Sequence, residues 1–398
     1  MVGTLRLRGI SRPVWLLSLV SLLADLSGEM VYPLIPLFLT GTLGAPAAAV
    51  GVVEGVAEGT ANVTRLVSGR WADRAGVRKP FVVAGYALGA LGKLLVGLSV
   101  VWPFALVGRS VDRFGKGIRG APRDAMLADF ATSEDRGRVF GFHRAMDTLG
   151  AVAGPLVGLA FLQSGAALRI VILLAVIPGI LSVLAMRLVP ESRLAVKHTA
   201  AAAPGHSPAH LPTAFYLLLG ATTVFMIGNS SDAFLILRSK DLGLTTTLVV
   251  LAYVAYNAVY ALLSLPAGIV SDRIPRVWVL LAGYLLFAGV YLGFAATDSS
   301  ALVWPLFLVY GGYIALTDGV SKALVADLVP AASRSSANGL FQGFSGLAVL
   351  VASVTAGLLW DNVSERAPFY LGAGCASLAA VAILVLLWTG TFNAPREA

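Results

Sequence analysis

Gly69-Arg70-Trp71-Ala72-Asp73-Arg74-Ala75-Gly76-Val77-Arg78-Lys79-Pro80 is a polar stretch between two long apolar segments. It contains four cations, one carboxylate and two glycines, and we predict a loop here. A weaker copy, Ala267-Gly268-Ile269-Val270-Ser271-Asp272-Arg273-Ile274-Pro275-Arg276, follows half a chain later. Asp73 and Asp272 are 199 positions apart in a chain of 398 residues, which indicates a duplicated unit.

Other pairs of positions repeat at nearly the same distance. Pro13 and Pro212, each at the start of a long apolar run, are also 199 apart. The segment 125–129, Ala-Met-Leu-Ala-Asp, recurs 198 residues later as 323–327, Ala-Leu-Val-Ala-Asp. These offsets predict two halves related by pseudo-symmetry.

The composition is that of a membrane protein. Hydrophobic residues make up 57% of the chain and charged residues 13%, whereas soluble domains carry about 25% charged residues. A helical span needs about 20 apolar residues, and the chain divides into about twelve such runs, so we predict an all-α membrane protein. The spans are predicted near 14–39, 48–70, 80–101, 103–130, 137–163, 167–188, 212–237, 245–271, 276–297, 301–329, 336–360 and 367–389.

The net charge of +8 is explained by membrane orientation rather than by nucleic-acid binding. Most loop cations fall in alternate loops, which places those loops and both termini in the cytoplasm. We expect the membrane to be the inner membrane of a prokaryotic cell. The basic N-terminus resembles a signal peptide. Its apolar run continues past Asp25 and Glu29, too long for such a segment, so we predict a first membrane helix.

The polar segment 190–211 separates the two predicted halves, 1–189 and 212–398, and is predicted to be a cytoplasmic linker. Its histidines, His198, His206 and His210, have no fixed partner set and predict no metal site. Cys375, the single cysteine, excludes a disulfide within the chain. We expect neither a metal nor another cofactor.

Ionisable residues within the predicted spans carry the functional information. Each costs at least ~2.5 kcal/mol at the bilayer centre and needs a partner or a wet cavity. Asp25 and Glu29 are one helical turn apart, as are Glu54 and Glu58, and close carboxylates can share a proton. Structural ion pairs are the alternative interpretation. The proton-coupling candidates are Asp25, Glu29, Glu54, Glu58, Asp112, Arg113, Arg144 and Asp147.

Span 4 carries a mostly positive stripe at helical spacing, from Arg109 to Arg119. The spans of the second half carry fewer polar groups. Contacts with a substrate from both halves are predicted, at a site near the membrane midplane between them. The substrate-cavity candidates are Arg109, Lys116, Asn229, Asp232, Tyr256, Asn257, Asp318, Lys322 and Gln342.

Span 5 contains small residues at intervals of four. Gly150, Gly154 and Gly158 are predicted to let another helix approach closely, and Pro155 is predicted to bend the span.

These features resemble the major facilitator superfamily over essentially the whole chain. The stretch 69–79 is similar to its signature loop, although Trp71 replaces an aliphatic residue and Val77 a basic one. The resemblance implies a cytoplasmic latch, with Asp73 facing the start of span 11. Arg74 or Arg78 would then pair with Asp124 or Asp129. The implied latch residues are Gly69, Asp73, Arg74, Gly76, Arg78, Asp124, Asp129, Asp272 and Arg273.

The segment 113–118, Arg-Phe-Gly-Lys-Gly-Ile, resembles the span 4 motif of drug–proton antiporters, and the glycine–proline motif of span 5 resembles an element found mainly in exporters. Together they imply a monomeric secondary transporter in the lipid bilayer that exports a small molecule against inward proton flow, by alternating access. Two alternatives stay open: uptake or exchange of an organic anion held by the span 4 cations, and a membrane sensor or scaffold that transports nothing. No nucleophile motif or nucleotide loop indicates an enzyme.

Overall fold

The computed structural model describes residues 6–7, 10–132, 135–191, 211–330 and 333–392, apart from a few side chains. These ranges contain a short hairpin, β1 (Arg6–Leu7) with β2 (Ile10–Ser11), and twelve long helical segments. The segments are α1 Arg12–Thr42, α2 Ala47–Ala75, α3 Lys79–Leu98, α4 Trp102–Asp129, α5 Arg136–Gln163, α6 Leu168–Leu188, α7 Thr213–Asp241, α8 Thr246–Arg273, α9 Arg276–Ala296, α10 Val303–Leu328, α11 Arg334–Asn362 and α12 Ala367–Trp388.

Ten of these segments are long and apolar enough to cross a membrane, within the part of the chain that the structure describes. The other two, α2 and α4, have 29 and 28 residues and carry more charged side chains. Because a helix rises 1.5 Å per residue, both are long enough to span about 30 Å. The predicted all-α membrane fold is confirmed.

The predicted loop at 69–80 is wrong for most of its length. Helix α2 continues through Gly69 to Ala75, and α3 begins at Lys79. The chain turns at Gly76, whose φ of +68° is readily adopted only by glycine. A polar composition does not end a helix that projects into water. The second copy behaves in the same way, since α8 continues to Arg273.

Three segments are interrupted where the sequence analysis predicted continuous spans. After Val31, α1 passes into a 3₁₀ turn at Tyr32–Leu34 and ends in a π-helical turn at Phe38–Thr42. Pro33 and Pro36 lack the backbone N–H that a regular helix requires. The break in α6 is at Ala175, and that in α7 covers residues 229–232. By contrast, α5 is helical through Pro155.

The chain divides into two compact units: Met1–Ala45 with Val56–Ala200, and Pro46–Gly55 with Ala201–Ala398. In the first unit, α1 packs along α5 and α6, and α3 packs along α4 and α6. In the second unit, α9 packs along α10 and α12, and α7 packs along α11 and α12.

The first turn of α2 packs within the second unit. The carboxylate of Asp361 accepts hydrogen bonds from the backbone N–H groups of Ala47 and Ala48, at 3.1 and 2.7 Å. This places a negative charge at the positive end of the helix dipole. A Cβ on Gly357 would lie 2.6 Å from the carbonyl oxygen of Ala47, so glycine is required for this close approach.

Candidate functional site

Three glycines bring α5 against the charged face of α1. A Cβ on Gly150, Gly154 or Gly158 would lie 2.6 to 2.8 Å from carbonyl oxygens of α1, so none can carry a side chain without moving a backbone. Gly150 faces the Cβ of Asp25 and Gly154 faces the Cβ of Glu29, at 3.1 and 3.0 Å from an added methyl group. The small-residue stripe therefore makes room for both carboxylates.

Asp112 is held by two cations of the same unit. Its carboxylate lies 3.0 Å from Lys93 Nζ and 3.2 Å from Arg109 Nη1, and its side chain is 14% exposed. Lys93 also donates to the carbonyl oxygen of Gly89. A buried carboxylate with two cationic neighbours is stabilised in its charged form, which makes Asp112 a fixed counter-ion.

Glu58 and Arg113 form a second pair, joining α2 to α4. The Glu58 Oε1 to Arg113 Nη1 distance is 3.2 Å, and the carboxylate side chain is 31% exposed. The guanidinium groups of Arg109 and Arg113 lie 5.4 and 5.5 Å from the ring centroid of Tyr32, at the break in α1. Cation–π contacts of this kind fix both arginines in place.

Lys116 lies between these pairs and the α1 carboxylates. Its electrostatic partners include Glu58, Glu29 and Asp25, while it makes no ion pair within 4 Å among the described residues. Asp25 in turn interacts electrostatically with Asp147 of α5. Lys116 thus interacts with three carboxylates, and also with the neighbouring cation Arg113.

His143 and Asp147 form a buried pair one turn apart on α5. His143 is 4% exposed and Asp147 is 9% exposed. The ring nitrogen Nδ1 lies 3.3 Å from Ser18 Oγ, and Nε2 lies 3.7 Å from Asp147 Oδ1. Within the part of the chain that the structure describes, neither Nε2 nor Oδ1 has a hydrogen-bond partner. By contrast, the neighbouring candidate Arg144 is exposed.

In the second unit, the break in α7 places Asp232 at the N-terminus of the helix Ala233–Asp241. The hydroxyl groups of Tyr256 and Tyr310 donate to its carboxylate at 2.7 and 2.6 Å. Asn229, also in the break, donates to the hydroxyl oxygen of Tyr313 at 3.0 Å. Interrupted helices are typical substrate- and ion-binding elements of transporters.

Two of the remaining candidates of the second unit, Asn257 and Asp318, have hydrogen-bond partners within the same unit. Asp318 accepts a hydrogen bond from Tyr260 at 3.0 Å and pairs with Lys322 at 2.7 Å, while both charged side chains stay exposed. Asn257 donates to the carbonyl oxygen of Tyr253, within its own helix. Gln342 is half-buried on α11. Glu54, on the part of α2 assigned to the second unit, is 1% exposed.

One of the predicted latch pairings is present. Arg78 forms a short ion pair with Asp129. The same geometry recurs in the second unit, where Arg276 pairs with Asp327. The other charged residues implied for the latch are not paired in this way. Arg74 and Arg273 are exposed, and the side chain of Asp73 lies outside the described parts. Asp124 pairs with Arg123 at 2.9 Å, and Asp272 pairs with Arg276 at 2.8 Å.

The sequence analysis missed Lys93, Tyr32, Arg276 and Asp327. Arg276 and Asp327 lie 198 residues after Arg78 and Asp129, so the repeat offset could have found them. Lys93 stands out as a lone cation in an apolar segment. Tyr32 has no signal, because its role depends on the break in α1. Within the described ranges, no three His, Cys, Asp or Glu residues are grouped to hold a metal ion.

Comparisons with known proteins identify the family. The model of the Major Facilitator Superfamily matches residues 17–238 and 217–398. An MFS-type transporter of Methanocaldococcus jannaschii is 35% identical over 386 residues, which cover 95% of this chain and 96% of the relative. The multidrug resistance protein MdtH of Photorhabdus laumondii is 31% identical over 147 residues, 36% of this chain and 35% of that protein.

Solved structures share the fold at low sequence identity. The crystal structure of the nucleoside transporter NupG, as its D323A mutant, superimposes with a TM-score of 0.80 and covers 94% of this chain and all of that one, at 14% identity. At this identity the likeness shows the fold alone. The family match and the full-length relative show more: the chain is an integral membrane transport protein, not an enzyme. It belongs to the Major Facilitator Superfamily and is a secondary transporter of a small molecule.

Proposed function

We propose that this transporter exports a small molecule or drug in exchange for protons, working by alternating access as a monomer in a prokaryotic inner membrane, with both termini in the cytoplasm. The observation that carries the proposal is the set of carboxylates on the glycine-lined contact of α1 and α5. Asp25 and Glu29 lie beside Gly150 and Gly154, and Asp25 interacts with Asp147. Neighbouring carboxylates can share a proton.

We propose two kinds of charge among the candidate residues of the first unit. Asp112 is paired with Lys93 and Arg109, so we assign it a structural role rather than a proton-carrying one. Glu58 is tied to Arg113 in the same way, although it is more exposed. We assign the gain and loss of the proton to Asp25 and Glu29, which lie beside the glycines of α5, and to Asp147, which interacts with Asp25. Lys116 is the cation that responds to their charge.

Asp232 and its tyrosine partners are the proposed contacts with the substrate in the second unit. A half-buried carboxylate among aromatic rings favours compounds with an amine or other cationic group. The likeness of about a third of the chain to MdtH, a multidrug resistance protein, supports the outward direction.

Lys116 is the observation that favours a second function, uptake or exchange of an organic anion. This lysine makes no ion pair within 4 Å in the described part of the chain, and it lies one turn from Arg113 and Arg119. An anion could bind there by charge-assisted hydrogen bonds. If the protein binds anionic compounds and Lys116→Gln loses this binding, anion transport is favoured over drug efflux. If no compound is transported at all, the third hypothesis, a membrane sensor or scaffold, is favoured.

A transport screen with an imposed pH gradient tests the proposal. A transporter-deficient strain expressing the protein is challenged with drugs, metals and organic acids, and each compound it tolerates better is then assayed in proteoliposomes. We expect export of a cationic or neutral drug that quickens when the compartment receiving the drug is acidified. Flux that is indifferent to the gradient would contradict proton coupling.

The paired salt bridges at the helix ends give a prediction about the latch. Arg78→Gln should lower transport severalfold while changing the free energy of unfolding by less than about 1 kcal/mol, because partly exposed ion pairs contribute little stability. The exchange Arg78→Asp with Asp129→Arg should restore transport. Arg366→Gln, which breaks a comparable exposed pair with Asp298, is the control and should transport normally. Normal flux in Arg78→Gln would remove this pair from the latch.

A further inference from the structure

His143 and Asp147 present two polar atoms to each other with nothing between them. Nε2 and Oδ1 are 3.7 Å apart, beyond hydrogen-bond distance, and neither atom has another hydrogen-bond partner among the described residues. The side chain of His143 is 6% exposed and that of Asp147 is 12% exposed. Buried polar atoms are nearly always paired, so two that face each other unpaired indicate a ligand that binds between them.

The other ring nitrogen explains why the gap exists. Nδ1 lies 3.3 Å from Ser18 Oγ of α1. When Nδ1 carries the hydrogen of the neutral ring and donates it to this oxygen, Nε2 presents a lone pair to the Asp147 carboxylate. Two acceptors that face each other repel. A single proton removes the repulsion and turns it into attraction.

We propose that His143 and Asp147 form a proton-binding site within the first unit, in which one proton is bound between Nε2 and Oδ1. The proton comes from a hydronium ion of the aqueous phase: one O–H bond of that ion breaks, one N–H bond forms at Nε2, and a water molecule is released. The resulting imidazolium donates to the carboxylate, and the two atoms approach to about 2.8 Å, the usual length of a charge-assisted hydrogen bond. The approach requires a movement of about 0.9 Å, which packing between α5 and α1 transmits to Ser18.

The charges that face this site come from three helices. On α5 itself these are Arg144 and Asp147, from α4 they are Arg123 and Asp124, and from α1 Asp25 lies next to Asp147. Arg123 is occupied by Asp124 and by Ser21 of α1, at 2.9 Å to each. Asp25, which interacts electrostatically with Asp147, is the carboxylate to which we assign receipt of the proton.

This inference rests on the proposed function only where it gives the proton site a role in transport. A proton bound at His143 and passed to Asp25 would join the pair to the carboxylates that face Lys116. Whether the proton binds at all is a separate question, which can be answered without a substrate.

Nuclear magnetic resonance of one histidine tests the site. The chain has four histidines, and substitution of His198, His206 and His210 with glutamine leaves His143 as the single imidazole. Ring nitrogens labelled with ¹⁵N are followed from pH 4 to 9 in nanodiscs, in this parent, in Asp147→Asn, and in the control Asp298→Asn of the second unit. The spectra report which nitrogens are protonated.

We expect the ring to become charged within this range, with the new proton on Nε2. At the pH where half of the parent is charged, Asp147→Asn should hold at least about fivefold less imidazolium, because the facing carboxylate, with Oδ1 3.7 Å from Nε2, stabilises the cation. The control should match the parent. A ring that stays neutral throughout, or one that titrates identically in Asp147→Asn, would overturn the site.

The NMR titration and the flux assay test the proton site and the efflux proposal separately. If the ring titrates as described and flux ignores the pH gradient, the proton site stands and coupled efflux falls. If flux follows the gradient and the ring does not titrate, coupling rests on Asp25 or Glu29 and the site at His143 is wrong.

Discussion

Asp112→Leu is expected to destabilise the protein by about 3–5 kcal/mol, the usual cost of removing one member of a buried ion pair. The substitution leaves Lys93 buried without its carboxylate and removes a partner of Arg109. The free energy of unfolding can be measured by titrating the detergent-solubilised protein with sodium dodecyl sulfate and following its circular dichroism.

Adding Lys93→Met to Asp112→Leu should recover about 1–3 kcal/mol, because the uncompensated ammonium group is then gone. The matched control is Asp298→Leu, which breaks an exposed pair with Arg366 and should cost less than about 1 kcal/mol. Equal losses in Asp112→Leu and Asp298→Leu would show that the Asp112 cluster is not a structural ion pair, and would return Asp112 to the proton-carrying candidates.

Gly154→Val is expected to lower the free energy of unfolding by about 3 kcal/mol, at the upper end of the range for overpacked cores. A Cβ at this position would lie 2.8 Å from the carbonyl oxygen of Leu26 and from the backbone nitrogen of Met30. Backbone atoms cannot rotate away, so α1 and α5 must separate, and Glu29 moves with α1. Thermal unfolding in detergent and the yield of folded protein measure the effect.

Gly141→Val is the matched control on the same helix. A Cβ at Gly141 meets no atom within 4 Å, and valine is a slightly better helix former than glycine. This variant should be as stable as the parent. If both variants lose stability equally, the close contact of α1 and α5 contributes nothing and the cause is the loss of glycine as such.

The fold could be predicted from the sequence because its causes are local. Twelve apolar runs and a repeat offset of 198 to 199 residues indicate the spans and their duplication without any tertiary information. The end of α2 could not be placed correctly, because a helix that leaves the membrane continues as long as its residues tolerate it. In this chain the helix ends at the glycine with positive φ, Gly76, and not at the first charge.

Pairing partners were predictable only where a motif or the repeat specified them. Arg78 with Asp129 follows from the family resemblance, and Arg276 with Asp327 follows from the offset. The partnership of Lys93 with Asp112 depends on how α3 lies against α4, which no sequence pattern records. The separation of His143 from Asp147 could not be predicted either. Their helical spacing places the two residues on one face of α5, but it does not determine the distance between Nε2 and Oδ1.

The structure also bears on the choice between structural ion pairs and exchangeable protons. The first unit contains one structural ion-pair cluster and the carboxylates that we propose exchange protons. Asp112 is closed in by two cations, whereas Lys116 makes no ion pair within 4 Å among the described residues and interacts electrostatically with Asp25 and Glu29. On α4, we therefore propose that Asp112 is a fixed counter-ion and that Lys116, four residues later, responds to the charge of the α1 carboxylates.

The most direct measurement of the central claim is proton movement during transport. Pyranine trapped in proteoliposomes reports the internal pH while a compound identified by the efflux screen is added outside, with Asp25→Asn as the comparison. The account predicts that the interior becomes alkaline as the compound enters, and that Asp25→Asn abolishes this change. Accumulation of the compound with an unchanged internal pH would contradict proton exchange.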